Sequence, residues 1–129
     1  MLYIDIDEYA TLSIRNELDL HKAVVKYLKT TDLLFNCNNP IELDTDEKRI
    51  QASLLGYTAG SCDIIIYNKN ETYGGLAIEF KSPTGRGVVS KKQYEFCETI
   101  AGDCNYLVLV CNDYTTIIEC IVKYKHDIF

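Results

Sequence analysis

Residues 60–81 decide the fold, and they read GSCDIIIYNKNETYGGLAIEFK. Residues 62–67 are a short apolar run, rich in isoleucine and bounded by polar residues, which predicts a buried strand. Residues 68–75 are polar, as expected for a turn, and the alternation over residues 76–81 predicts a second strand. The segment therefore predicts an antiparallel hairpin.

Helices and strands are also predicted on both sides of this hairpin. Apolar periodicity and capping residues predict helices over residues 13–29, 46–55, 90–101 and 114–124. Apolar runs predict strands over residues 33–37 and 105–111, the second of them buried on both faces. Gly56 and Gly102 are the expected stops of the second and third helices, and residues 82–89 are an expected loop. This order of elements indicates an α/β fold, a mixed β-sheet flanked by α-helices.

The length and composition of the chain indicate one domain. The chain has 129 residues, which leaves no room for two well-packed cores. Apolar residues make up 47% of it and charged residues 25%, so the chain can bury enough surface to fold alone. These values exclude a disordered tail, a coiled-coil rod and a small disulfide scaffold. We therefore expect a single domain over residues 1–129.

The net charge restricts how the protein could bind nucleic acid. The formal charge is −6, from 13 basic and 19 acidic residues. A protein that binds nucleic acid through its overall charge is usually basic, so this class is excluded. Any contact with nucleic acid would need a local basic patch or a metal ion.

Cysteine usage and the N-terminus indicate an intracellular protein without a membrane anchor. None of the six cysteines forms a C-x-x-C pair, and with two histidines in the chain we expect no zinc site. The cysteines are expected to be reduced, buried, small hydrophobic residues. The chain begins MLYIDID, which does not resemble a signal peptide, and no apolar run is long enough to span a membrane. Cytoplasm and nucleus are both open, as is a viral or phage origin.

Three polar residues in the hairpin could carry chemistry. Asp63 precedes the isoleucines of the first strand, and Glu79 and Lys81 lie two residues apart on the second, so they share a face. Antiparallel pairing can bring Asp63 close to Glu79, where the two carboxylates repel unless a cation lies between them. A hard divalent ion such as Mg²⁺ suits oxygen ligands, and Lys81 could hold a water bound to that ion. These are the parts that phosphodiester hydrolysis requires.

A structural explanation competes with this chemistry. The pattern E-x-K is common, and Glu79 and Lys81 could form a solvated strand face with Asp63 in a turn. Against that explanation, the pattern lies in a core strand, where unpaired charges are costly. From the residues alone, both explanations stay open.

Two blocks of the sequence resemble a known nuclease motif. Residues 56–65, GYTAGSCDII, resemble the G-x-x-x-G-x-P-D block of the VRR-NUC branch of the PD-(D/E)xK superfamily. Residues 78–86, IEFKSPTGR, resemble its I-E-x-K-x-P-x-G block. Gln93 and Glu17 match a glutamine that opens the next helix and a glutamate of the first helix in that family. The resemblance extends over about residues 14–124, with one departure, because Cys62 stands where the family usually has proline.

The resemblance implies a restriction endonuclease-like core and a set of roles. Asp63 and Glu79 would be metal ligands, with the backbone carbonyl of Phe80 as a further ligand. The cofactor would be Mg²⁺, with Mn²⁺ as a substitute. Lys81 would orient the attacking water or act as an electrostatic helper. Glu17 would bind the metal through water or bind a second metal.

The remaining assignments each have a structural alternative. Gln93 would orient substrate or water, but it also follows Ser90 by three residues, as in a capping box. Glu17 could simply favour the positive end of the first helix. Residues 81–92 contain no acid, and their basic side chains could be solvated or could contact a DNA backbone near a helix N-terminus. The basic residues beyond Lys81 in this segment are Arg86, Lys91 and Lys92.

The resemblance implies a Mg²⁺-dependent endodeoxyribonuclease. Stand-alone members of this branch are linked to branched DNA such as four-way (Holliday) junctions and to homodimers. The first alternative is a less selective repair or restriction-type nuclease. The second is a catalytically silent module that binds nucleic acid or protein, against which the intact Asp63, Glu79 and Lys81 argue.

Overall fold

The computed structural model describes residues 14, 16–38, 44–57, 60–81 and 90–129. Within these ranges the strands are β1 (Phe35–Cys37), β2 (Ile64–Ile66), β3 (Gly75–Phe80) and β4 (Tyr106–Cys111). The helices are α1 (Glu17–Leu28), α2 (Asp46–Leu54), α3 (Lys91–Asp103) and α4 (Tyr114–Lys125). Their order along the chain is the predicted one. Each helix in the described ranges is too short or too polar to span a lipid bilayer.

The four described strands form one mixed sheet in the order β1-β2-β3-β4. The predicted hairpin is confirmed: β2 pairs antiparallel with β3, and Ile64 lies opposite Ile78. β1 adds antiparallel to β2, and β4 adds parallel to β3. The α/β class with a mixed sheet is therefore confirmed.

The sheet separates two hydrophobic clusters, and their positions determine which helix faces the candidate site. The larger cluster joins α1 and α4 to one face through the strand residues Ile64, Ile66, Leu76, Ile78 and Phe80. The smaller cluster joins α3 to the other face through Cys62, Ile65 and Ala77, against Phe96, Cys97 and Ile100. Because side chains alternate along a strand, Glu79 projects to the same face as Ala77, toward α3.

The first helix begins later than its apolar pattern predicted. It starts at Glu17 instead of residue 13, because Asn16 in an extended conformation caps it and accepts a hydrogen bond from the backbone N–H of Asp19 at 2.9 Å. Asparagine is among the strongest N-cap residues. The second helix ends at Leu54, and Gly56 follows with φ +92°. Gly56 is thus the helix stop that the sequence predicted.

The third helix does not stop at the predicted glycine. It continues through Gly102 to Asp103, and Asn105 takes the left-handed conformation with φ 56°. Asparagine tolerates this conformation better than most residues with a side chain. The helix stop is therefore made by Asn105, and the prediction for Gly102 was wrong.

The last strand was predicted to be buried on both faces, and this was wrong. Residues of β4 are partly buried, and Val110 is 38% exposed. β4 pairs with β3 alone among the described strands, so it lies at the edge of the sheet. The apolar run over β4 resembles that of a central parallel strand, and composition cannot distinguish the two.

The six cysteines are all free thiols, but burial was overestimated for most of them. Cys62 is buried, Cys104 is exposed, and the other four are partly buried. Cys104 is exposed because it is the C-cap of α3 and lies outside both hydrophobic clusters.

Candidate active site

The hairpin brings Asp63 and Glu79 together where β2 begins and β3 ends. Extending the pairing of Ile64 with Ile78 by one residue places Asp63 directly opposite Glu79. Residues that lie opposite each other in an antiparallel pair project to the same face. The Asp63 carboxylate also accepts a hydrogen bond from the backbone N–H of Phe80 at 2.8 Å. This contact fixes the carboxylate beside the end of β3.

Asn38 hydrogen-bonds to the backbone carbonyls of Asp63 and of its neighbour Cys62. Its backbone N–H donates to the carbonyl of Asp63 at 3.0 Å. Its side-chain amide donates to the carbonyl of Cys62 at 3.1 Å. Nothing in the local sequence pattern indicates this contact, because Asn38 and Cys62 lie 24 residues apart.

Among the described residues, Glu79 is the one charged residue that is buried, and its relative exposure is 3%. One carboxylate oxygen, Oε1, accepts a hydrogen bond from the Gln93 side chain at 2.5 Å. The other oxygen, Oε2, is buried and has no hydrogen-bond partner among the described residues. Burial first, then the negative charge of Asp63, and then a hydrogen bond that a protonated Glu79 carboxyl can make to Asp63, raise the pKa of Glu79 to about 8. The free carboxylate is therefore costly in this position unless a cation or a proton compensates it.

The donor atoms present fit a hard divalent cation. An unpartnered buried carboxylate oxygen beside a second carboxylate is an arrangement that such a cation would satisfy, since Mg²⁺ prefers oxygen ligands. Asp63 and Glu79 provide the carboxylate oxygens, and the Phe80 carbonyl stays a predicted ligand. Over the described part of the chain, no group of three or more His, Cys, Asp or Glu side chains could hold a metal ion.

Glu17 does not join the two carboxylates as a third member of such a group. It is exposed in the first turn of α1. Its negative charge contributes to the raised pKa of Glu79, behind burial and Asp63. Glu17 thus acts on Glu79 electrostatically, and a role as a metal ligand through water stays a prediction.

Gln93 makes both of the interactions that the sequence left open. Its backbone N–H donates to the Ser90 hydroxyl at 3.2 Å, and its side-chain oxygen accepts from the Ser90 N–H at 2.9 Å. Its side-chain nitrogen donates to Glu79. The capping box uses the amide oxygen and the candidate site uses the amide nitrogen, so one side chain completes the helix start and contacts the buried carboxylate.

Gly60 lets the start of α3 approach the segment that leads to Asp63. Its φ is +83°, which disfavours side chains. A Cβ at this position would lie 2.6 Å from the carbonyl carbon of Lys92 and 2.8 Å from the backbone nitrogen of Gln93. The absent side chain is thus what allows Gln93 to come close to Glu79. The sequence indicated Gly60 only through its place in the motif.

Lys81, Lys91 and Lys92 are the predicted basic residues that the structure describes. Lys81 follows β3 directly, and its backbone N–H donates to the Cys111 carbonyl at 3.0 Å, which continues the ladder to β4. Alternation then places Lys81 on the face of Glu79. Lys91 and Lys92 are exposed in the first turn of α3, and Lys91 lies 3.9 Å from Glu95. Arg86 and the predicted loop over residues 82–89 lie outside the described residues.

His21 forms part of the site's surroundings and was missed by the sequence reasoning. Its ring packs against Phe80, with ring centroids 5.2 Å apart and planes at 56°. Burial lowers the pKa of His21, and the charge of Asp63 opposes that shift. From the sequence, His21 counted only as one of the two histidines that make a zinc site improbable, whereas in the structure it lies on α1 and packs against Phe80 at the end of β3.

Comparisons with known proteins agree with the fold and identify the family. The family model described as the VRR-NUC domain matches residues 5–113. A solved structure of a VRR_NUC domain protein superposes with a TM-score of 0.67 at 23% identity, covering 84% of this chain and 86% of that one. No curated protein matches the chain. The chain belongs to the VRR-NUC domain family, within the PD-(D/E)xK superfamily of nucleases.

Proposed function

We propose that this protein is a metal-dependent endodeoxyribonuclease with Asp63, Glu79 and Lys81 at its active site. Membership of the VRR-NUC family supports a nuclease-type function. The observation that carries the finer proposal is the buried Glu79 Oε2, which has no partner among the described residues and lies beside Asp63. Without a cation the raised pKa keeps Glu79 largely protonated at neutral pH, and metal binding would release that proton.

Asp63, Glu79 and the Phe80 carbonyl would hold Mg²⁺, or Mn²⁺ in its place. When bound, this ion would supply Lewis-acid polarisation of the scissile phosphate. Gln93 holds Glu79 Oε1 and leaves Oε2 available as a ligand. The Phe80 N–H holds one oxygen of Asp63, which orients the carboxylate before any ion binds.

Lys81 would supply positive charge where negative charge develops during cleavage. Its place two residues after Glu79 directs it to the same face. An ammonium group there can orient the attacking water and stabilise the phosphorane-like transition state. This role requires placement of a charge and does not require Lys81 to bind the metal.

DNA would approach along the start of α3. Lys91 and Lys92 are exposed there, and backbone N–H groups at a helix start favour phosphate. The chain as a whole carries a charge of −6, so the DNA contact is confined to this basic segment, to which Arg86 belongs by sequence.

Branched DNA is the substrate that we propose, with a homodimer as the active form. Both rest on the resemblance to stand-alone members of the family. Symmetric incision of a four-way junction requires two sites related by a two-fold axis, which a homodimer supplies. A less selective nuclease would use the same residues without that symmetry.

The experiment is a cleavage assay on four-way junction, flap, single-stranded and duplex DNA, each with Mn²⁺ and with chelator. We expect Mn²⁺-dependent cleavage that is strongest on the junction and is lost in Asp63→Asn. Equal cleavage of all four DNAs would favour the less selective nuclease.

A catalytically silent binding module is the other candidate, favoured by the lack of a third acidic ligand in the described residues. Binding without cleavage under any metal would establish it.

A further inference from the structure

A pair of thiols lies in contact beside the candidate active site. The sulfur atoms of Cys62 and Cys97 are 3.8 Å apart. Cys62 is fully buried next to Asp63, and Cys97 is partly buried on the face of α3 that packs on the sheet. The two residues are 35 positions apart in the sequence, so this contact depends on the tertiary fold.

Contacts on both sides of the thiol pair hold α3 against the segment that carries Cys62 and against the sheet. The backbone of Gly60 lies close to the backbone of Lys92 and Gln93. These two residues precede Cys97 on α3 by five and four positions. Ile65 and Ala77 pack against the same helix from the sheet. Because Gly60 contacts the start of α3 and the sheet residues pack against its middle, the two thiols face each other across a packed interface.

We propose that Cys62 and Cys97 are a site of reversible disulfide formation that fastens α3 to the segment carrying Asp63. A disulfide requires the sulfur atoms to close from 3.8 Å to about 2.05 Å, and rotation of the two side chains would supply this movement. The inference goes beyond the proposed nuclease activity and does not depend on it.

The oxidant is a small-molecule disulfide such as glutathione disulfide. The Cys97 thiolate, which is the more accessible, attacks one sulfur of glutathione disulfide, forms a mixed disulfide and releases one glutathione thiolate. The Cys62 thiolate then attacks the Cys97 sulfur and releases the second glutathione thiolate. The two protein thiols lose two electrons and two protons, and these reduce glutathione disulfide to two glutathione thiols. Burial raises the pKa of both protein thiols, so we expect the exchange to be slow.

The bond would close a ring that contains the central residues of the candidate site. Residues 62–97 include Asp63, Glu79, Lys81 and Gln93. Cross-linking restricts the unfolded chain across this ring, so the oxidised protein should be more stable. For a chain of this length, we expect an increase in Tm of several degrees.

The test uses the full chain, first reduced and then incubated with glutathione disulfide. After acid quenching, alkylation and digestion, mass spectrometry should find the peptides of Cys62 and Cys97 joined, and a dithiol reductant should separate them. Cys97→Ser should abolish the joined peptide and the rise in Tm. Cys104→Ser, which removes an exposed thiol, should preserve both.

Two results would overturn the proposal. One is alkylation of both Cys62 and Cys97 after long exposure to the oxidant. The other is a glutathione adduct that persists on Cys97 while Cys62 stays alkylatable, because the second, intramolecular step would then have failed. Neither result depends on DNA cleavage, so the proposed function is tested separately.

Discussion

Gln93 donates a hydrogen bond to the buried carboxylate of Glu79 at 2.5 Å, and through it the start of α3 is tied to the end of β3. The same side chain accepts a hydrogen bond from Ser90 in the capping box. The helix start and the protonation of the candidate ligand are therefore linked through one amide group.

Replacing Gln93 should change the affinity of the site for protons. The Gln93 hydrogen bond lowers the pKa of Glu79 against the stronger effects of burial and Asp63, so Gln93→Ala should raise that pKa. The pH at which Mn²⁺ binding is half-maximal in calorimetry should move upward. Ser90→Ala is the matched control, since it weakens the cap by about 1 kcal/mol and leaves the contact with Glu79. An unchanged midpoint in Gln93→Ala would show that the contact does not matter to Glu79.

The stability of the metal-free protein should fall as pH rises from about 4.5 to about 8. The pKa of Glu79 is raised from 4.5 to about 8, so in this window the folded state binds the proton that the unfolded state has lost. Chemical denaturation across this range should give a steeper decline for the wild type than for Glu79→Gln. Glu71→Gln, at an exposed glutamate, should retain the wild-type decline. Parallel curves for wild type and Glu79→Gln would be inconsistent with a raised pKa.

Gly60→Ala should destabilise the protein and separate α3 from the Asp63 segment. The new Cβ would lie 2.6 Å from the backbone of Lys92, at a φ of +83°. A strained backbone of this kind costs about 1–3 kcal/mol before the contact with Lys92 is counted. Gly102→Ala is the control, because it lies inside α3 with nothing within 4 Å of its Cβ, and it should be neutral or stabilising. Equal free energies of unfolding for the two variants in denaturant would contradict the close approach of Gly60 to the backbone of Lys92.

Removing Lys91 and Lys92 together should weaken DNA binding without changing its sequence preference. Each lost phosphate contact should reduce the slope of log K against log salt by roughly 0.9. Fluorescence anisotropy at several salt concentrations measures that slope. Lys123→Ala is the control, because Lys123 lies far from the proposed DNA path. It is in the last turn of α4, and that end of α4 contacts Asn70 in the β2–β3 turn, at the opposite end of the hairpin from Asp63. The same slope in the double variant and the control would place the DNA path elsewhere.

The sequence predicted the features that depend on short-range patterns. The isoleucines of β2 and the alternation of β3 define the hairpin, and the hairpin alone brings Asp63 opposite Glu79. The cap of α4 at Asp113 is similarly local, since its side chain accepts a hydrogen bond from the Thr116 N–H. In each case the deciding interaction joins residues close in sequence or in adjacent strands.

Features that depend on distant contacts could not be predicted. The contacts of Asn38 with Cys62 and Asp63 and the tilted packing of His21 against Phe80 join elements whose relative positions follow from the tertiary fold. The exposure of Val110 follows from the edge position of β4, which its apolar composition does not reveal. The dual role of Gln93 required both the cap and the docking of α3 to be known.

The most direct test of the proposed active site is the single-turnover rate of junction cleavage by Lys81→Ala in Mn²⁺. A charge placed to stabilise the transition state should contribute little to ground-state binding. We therefore predict a fall in rate of about a hundredfold or more, with the fold retained and DNA affinity within a few-fold of wild type. Cleavage by Lys81→Ala at the wild-type rate would contradict the proposed role of Lys81 in the active site.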